Sequence, residues 1–120
     1  MNPKPTSPKP GYSVALSQET IREADLALKR VRRHFVFHGS VQRCGFRITS
    51  YRFAKEHRIT GWVYNRSDGC VEMEAQGEEA QLWMFRSKLL HLRGRVTQLE
   101  EEERPPVEGE RCYLILAPER

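Results

Sequence analysis

Gly39-Ser40-Val41-Gln42-Arg43-Cys44-Gly45-Phe46-Arg47 is the stretch from which the rest of the chain can be read. Before it, Arg33-His34-Phe35-Val36-Phe37-His38 is rich in aromatic and β-branched residues and reads as a strand over about 33–39. After it, Arg47 to His57 contains neither Gly nor Pro and reads as a helix. The segment is therefore a strand–loop–helix turn with a glycine at each end of its loop. Such a turn can aim several backbone N–H groups at one point, at the positive end of a helix dipole. Arg47 at the helix start adds a fixed fork of donors, which makes a cradle for an anion such as a phosphate. The same residues also describe an ordinary structural turn, and the stretch alone leaves both readings open.

Towards the N-terminus, Met1 to Gly11 is Pro-rich and polar, the composition of a disordered tail over residues 1–16. Ser17 can cap a helix whose apolar positions are Ile21, Ala24, Leu28 and Val31, so residues 17–32 read as a helical extension. Towards the C-terminus, the helix 47–57 places Ile48, Tyr51 and Ala54 on a common side. Ile59 to Asn65 reads as a second strand, and Asp68-Gly69 is a hairpin turn, because Gly accepts positive φ. Val71, Met73 and Ala75 alternate with Glu72, Glu74 and Gln76, a strand that Gly77 is expected to stop. A second helix spans about 78–90 on the stripe Leu82, Phe85, Leu89. Val96 to Glu102 is a fourth strand with a polar, solvated end, and Cys112 to Leu116 a short last one.

The order β-α-β-β-α-β requires each crossover to be right-handed, which puts both helices on one face of an antiparallel sheet. The expected fold is thus a ferredoxin-like α/β sandwich over residues 33–120, with the helical extension before it. That fold names no function. It does bring the end of the second strand towards the loop after the first. Asn65 there can hold a water in line for attack through its amide, although it cannot act as a proton base. It can equally be a plain turn former.

Composition narrows the classes. A chain of 120 residues holds one core. No run approaches the roughly 18 apolar residues of a membrane span, and no apolar segment follows the N-terminal lysines as in a secretory signal. Cys44, Cys70 and Cys112 are odd in number and widely spaced, and the four histidines lack ligand spacing. A disulfide framework, a metal site and a cofactor are therefore not expected, and a reducing cytoplasm is. The net charge of +4 lies wholly in residues 1–33, while residues 34–120 balance thirteen Lys/Arg against thirteen Asp/Glu. That leaves no basic footprint for nucleic acid.

The pattern Gly39-x-Val41-Gln42-x-x-Gly45-Phe46-Arg47, followed by Thr60-Gly61-Trp62-Val63-x-Asn65-x-x-Asp68-Gly69-x-Val71-Glu72, resembles the acylphosphatase family. The separation of the two motifs matches too, as does Gln76-Gly77-Glu78 before the second helix. The resemblance covers about residues 33–117 and implies the ferredoxin-like fold and metal-free hydrolysis of carboxyl-phosphate mixed anhydrides. It also implies that Arg47 binds the substrate phosphate with the backbone N–H groups of Gln42, Arg43, Cys44, Gly45 and Phe46, while Asn65 orients the attacking water. The implied partners are a small acyl phosphate and inorganic phosphate as product and inhibitor, without nucleic acid or membrane, for a monomer.

Three positions depart from the family pattern. Arg43 and Cys44 stand where Gly and Val are usual, and Arg58 where a Gly ends the first helix. A left-handed backbone at Arg43 would cost about 1 kcal/mol. Cys44 reads as a small hydrophobe. The competing function is a non-catalytic phosphate- or acyl-phosphate-binding domain of the same fold. An RNA-binding sandwich is a third class, disfavoured by the neutral charge of residues 34–120.

Overall fold

The computed structural model describes residues 29–92 and 95–120. Its elements are β1 (Arg30–Gly39), α1 (Phe46–Glu56), β2 (Thr60–Asn65), β3 (Val71–Glu78), α2 (Glu79–Leu90), β4 (Val96–Arg104) and β5 (Tyr113–Ile115). The sheet order is β4-β1-β3-β2-β5. The first four strands are antiparallel neighbours, and β5 joins the edge of β2 in parallel rather than extending the antiparallel pattern. This is the expected ferredoxin-like sandwich with one added strand. Because β3 lies antiparallel between β1 and β2, those two run the same way, and so does β5. Their C-terminal ends all meet at one end of the sheet.

Alternation along β1 decides which face is the core. Val31, Phe35 and Phe37 are buried on the helix-covered face with Met73 of β3, Val63 of β2, and Leu82, Phe85 and Leu89 of α2. Each such phenylalanine contributes about 1.5–3 kcal/mol by leaving water. Phe37 and Phe46 stack with centroids 5.1 Å apart, so the two ends of the β1–α1 loop are pinned to one point in the core. Val41, inside that loop, is also buried.

Several boundaries differ from the sequence reading, each for a physical reason. β1 begins at Arg30, and Val31 belongs to it opposite Gly77 instead of ending the extension helix. The rest of that helix and the tail before it lie outside the described residues. Gly77 does not stop β3, which continues through it to Glu78 because it is paired on both sides of that point to β1. The buried side of α1 is Phe46, Ser50 and Ala54. Ile48 is 51% and Tyr51 37% exposed, so they do not form the inner face. The i, i+4 row from Phe46 wins because Ser50 is satisfied inside, its Oγ 3.0 Å from the Tyr113 hydroxyl and donating to the Arg47 carbonyl at 2.7 Å.

The second face of the sheet is also not left open. Arg32 is 3% exposed there and donates to Glu74 (2.6 Å), Glu110 (2.7 Å) and Gln76 (3.1 Å). Burial disfavours its charge, but Glu110 and Glu74 more than offset this, and the guanidinium is held more firmly protonated than usual. Gln76 exchanges two hydrogen bonds with the main chain of Val107, at 2.9 and 2.7 Å. The segment after β4 is thereby laid across the sheet. The polar end of β4 is solvated, with Glu100, Glu102 and Glu103 exposed, and three of its four glutamates are also paired: Glu100 with His38, Glu101 with Arg33 and Arg86, and Glu102 with Arg104.

Candidate active site

The loop from Ser40 to Gly45 leaves β1 at the end of the sheet where β2 also finishes. Gly45 is the N-cap of α1, with φ 81, and no side chain caps the helix. Its carbonyl accepts the first helical bond, from Thr49 N at 2.9 Å. The amides of the first turn before Thr49 are geometrically without intrahelical acceptors. No acidic residue lies in that turn. An uncapped helix start without a neighbouring carboxylate is electrostatically compatible with an anion. Gly45 is exposed and Phe46 buried, so the chain passes from solvent to core at the helix start.

Arg47 occupies the first turn, half-buried, and has no carboxylate partner among the described residues. Its guanidinium is thus available to a ligand. Arg43 is exposed, with φ 61, a left-handed backbone that a non-glycine residue adopts only at a cost. The Cys44 thiol lies 3.4 Å from the Ser40 carbonyl and makes no further polar contact among the described residues.

Asn65 is the last residue of β2, on the helix-covered side with Val63. Its Oδ1 is buried and accepts no hydrogen bond from the described residues. A buried amide oxygen without a donor is costly, about 1–3 kcal/mol, unless something from outside the chain completes it. The turn that follows is stitched to the anion loop by Gln42. Its Nε2 donates to the carbonyls of Arg66 and Cys70, at 2.8 Å each. Thus the structure gathers Gln42 to Arg47 and Asn65 at one end of the sheet. The family resemblance implies a role for Gln42 only through its backbone amide, whereas its side chain ties the loop to the turn after Asn65.

The titratable groups nearby face the other side of the sheet. The Tyr64 hydroxyl donates to Glu72 at 2.7 Å, which pushes its pKa up to about 12 and keeps it protonated. The Cys70 thiol lies 3.2 Å from His38 Nδ1. Burial, with Asp68 adding to it, raises the pKa of that thiol, so it is held as an unreactive S–H. Among the described residues no group of three or more His, Cys, Asp or Glu is placed to hold a metal ion. Two hollows, about 610 Å³ beside Val31 and Trp83 and about 660 Å³ beside Tyr51 and Ile115, contain neither Arg47 nor Asn65. A smaller hollow of about 280 Å³ is lined by Cys44, Phe46 and Thr49 at the start of α1.

A family profile described as acylphosphatase matches residues 33–112 of this chain. The chain belongs to the acylphosphatase family. It is 47% identical over 58 residues to the acylphosphatase of Geobacillus thermodenitrificans, an overlap of 48% of this chain and 60% of that relative. With the acylphosphatase of Bacillus licheniformis the identity is 37% over 79 residues, covering 64% of this chain and 88% of the relative. The crystal structure of acylphosphatase from Bacillus subtilis superposes with a TM-score of 0.67 at 31% identity, covering 72% of this chain and 98% of that one. Both ends of the acylphosphatase match lie inside the described fold: it opens in β1 and closes just before β5. The site assembled above lies wholly within it.

Proposed function

We propose that this chain hydrolyses acyl phosphates to a carboxylate and inorganic phosphate. The observation that carries the reading is the unpartnered, buried Oδ1 of Asn65, tied through Gln42 to an uncapped helix start that bears Arg47. The substrate phosphate is held by Arg47 and the amides of Gln42, Arg43, Cys44, Gly45 and Phe46. Asn65 accepts a hydrogen bond from the attacking water. The water oxygen bonds to phosphorus as the bond from phosphorus to the acyl oxygen breaks. The carboxylate leaves as an anion, and both water protons finish on the product phosphate. A carboxylate leaving group has a low pKa and needs no general acid, so positioning and charge stabilisation suffice. A phosphate monoester, with its alkoxide leaving group, would be served poorly.

Inorganic phosphate, as product, competes for the same nest. The enzyme acts as a monomer in the cytoplasm on this reading, which three unpaired cysteines favour. Among the described residues no helix is long and apolar enough to cross a membrane. Acidic pairs over the second sheet face, from Glu72, Glu74, Glu100 and Glu102, give nucleic acid no phosphate-binding surface. The test is hydrolysis of benzoyl phosphate with EDTA present and p-nitrophenyl phosphate as control. Turnover of the first alone supports the reading. Phosphate binding without turnover of either would make the chain a binding domain instead.

A further inference from the structure

The segment after β5 reaches the same end of the sheet as Asn65, and its last polar contacts are all with that residue's turn. Leu116 N donates to the Val63 carbonyl at 2.8 Å, which continues the parallel pairing beyond Ile115. Glu119 N then donates to the Asn65 carbonyl itself, also at 2.8 Å. The Glu119 carboxylate turns back over the hairpin and accepts from Ser67 N at 2.8 Å and from Ser67 Oγ at 3.1 Å. One residue therefore grips both sides of the turn, with its main chain on Asn65 and its side chain two residues on.

We propose that Glu119 is a positioning residue, which fixes Asn65 for the attacking water from the side opposite Gln42. This rests on the acyl phosphatase reading given above. Physically, the turn from Asn65 to Cys70 hangs between two clamps. Gln42 holds the carbonyls of Arg66 and Cys70 from the anion loop, and Glu119 holds Asn65 and Ser67 from the sheet edge. β5 pairs with β2 only as far as Val63, so beyond Leu116 the contact from Glu119 holds the Asn65 main chain on the side away from β3. Displacing a catalytic group by a fraction of an ångström is costly in rate, because attack requires alignment. Glu119 acts through the turn, by its contacts with Ser67 and with the Asn65 main chain.

Glu119→Ala and Glu119→Gln separate positioning from mere structure. Gln keeps an amide oxygen that can accept from Ser67, whereas Ala keeps only the main-chain N–H to the Asn65 carbonyl and loses the hold on Ser67. With benzoyl phosphate, Glu119→Ala is expected to lower kcat by about tenfold and leave KM and inhibition by inorganic phosphate near the wild-type values. Glu119→Gln is expected to recover most of kcat. Unchanged kcat in Glu119→Ala, a parallel loss of phosphate inhibition, or a Gln variant no better than Ala would each overturn the proposal. A second readout stands apart from turnover: the Asn65 side-chain amide signals in a nitrogen-15 NMR spectrum. They should shift in Glu119→Ala and return in Glu119→Gln. If the wild-type chain hydrolyses no acyl phosphate, the functional reading fails, and the NMR signals alone then decide whether Glu119 sets the place of Asn65.

Discussion

The Gln42 side-chain amide donates to the Arg66 carbonyl at 2.8 Å, a bond across 24 residues that joins the phosphate nest to the hairpin carrying Asn65. Its second bond, to Cys70 O at the same distance, closes the turn. Gln42→Ala leaves two partly buried carbonyls without that donor, at a cost of about 1–3 kcal/mol. Gln42→Glu should be worse, because a carboxylate would face both carbonyl oxygens with no hydrogen to give. We expect kcat/KM for benzoyl phosphate to fall in the order wild type, Ala, Glu, with unfolding midpoints in the same order. A Glu variant as stable and active as wild type would remove the clamp from the account.

Arg47 and Asn65 should fail differently. Arg47→Gln removes the charged fork and with it both turnover and inhibition by inorganic phosphate. Asn65→Ala should lower kcat by about a hundredfold or more while phosphate still inhibits near its normal concentration. Retained phosphate inhibition in the Arg47 variant would contradict its role. Its collapse in the Asn65 variant would make Asn65 a ligand for phosphate rather than for water.

Much of this site was legible in the sequence, because its parts are local. A loop bounded by glycines, an arginine at a helix start and an asparagine at a strand end are each visible within a few residues, although each alone also describes an ordinary turn. What was hidden is what acts across the chain. Ser50 was not among the residues expected on the inner side of α1, and its partner there, Tyr113, lies 63 positions away. Nothing in a polar stretch announces that Arg32 will be buried under Glu110. Glu119 had no signal at all, since a glutamate near a chain end is ordinarily solvated. Hydrophobic periodicity reports burial of apolar groups and is blind to polar groups that are buried in pairs.

The acid limb of stability follows from Glu101 and Glu72. Burial raises the pKa of Glu101, but Arg86 and then Arg33 outweigh it, and the carboxyl lies below its ordinary value of 4.5. For Glu72 burial is likewise outweighed, by Tyr64 and His34. A depressed folded pKa means that the stabilisation is present above the unfolded value and is lost as pH falls through the folded one. Unfolding midpoints should therefore be level near neutrality and fall below about pH 4.5. Glu101→Gln should lower stability by about 1–2 kcal/mol at pH 7 and flatten that acid fall. An equally steep fall in the variant would place the acid sensitivity elsewhere.

Residues 1–28 contain neither Arg47 nor Asn65 nor either clamp. Their removal should leave kcat and KM for benzoyl phosphate within about twofold of the full chain. A larger loss of kcat would assign the extension a part in the reaction.

Arg43 and Arg58 share a strain but not a setting, and replacing each by glycine should show it. Arg43 has φ 61 and Arg58 φ 56. Arg58 follows the C-cap of α1, where Ile59 N bonds to Ala54 O at 2.8 Å in the closing turn that glycine favours. The left-handed conformation costs a non-glycine residue about 1–2 kcal/mol, and glycine returns part of that as unfolded-chain entropy. Arg58→Gly should thus gain about 0.5–1 kcal/mol and raise Tm by a few degrees with kinetics unchanged. Arg43→Gly should gain similar stability, but it also takes an exposed positive charge from the rim of the phosphate nest. There kcat/KM for benzoyl phosphate should fall severalfold at low ionic strength, through KM, and the difference should shrink as salt is added. Opposite signs of stability and kcat/KM in Arg43→Gly, with neither trade-off in Arg58→Gly, would show that strain at position 43 is tolerated for its charge. If Arg43→Gly were stabilised with unchanged kinetics at every salt concentration, Arg43 would have no part in drawing the substrate in.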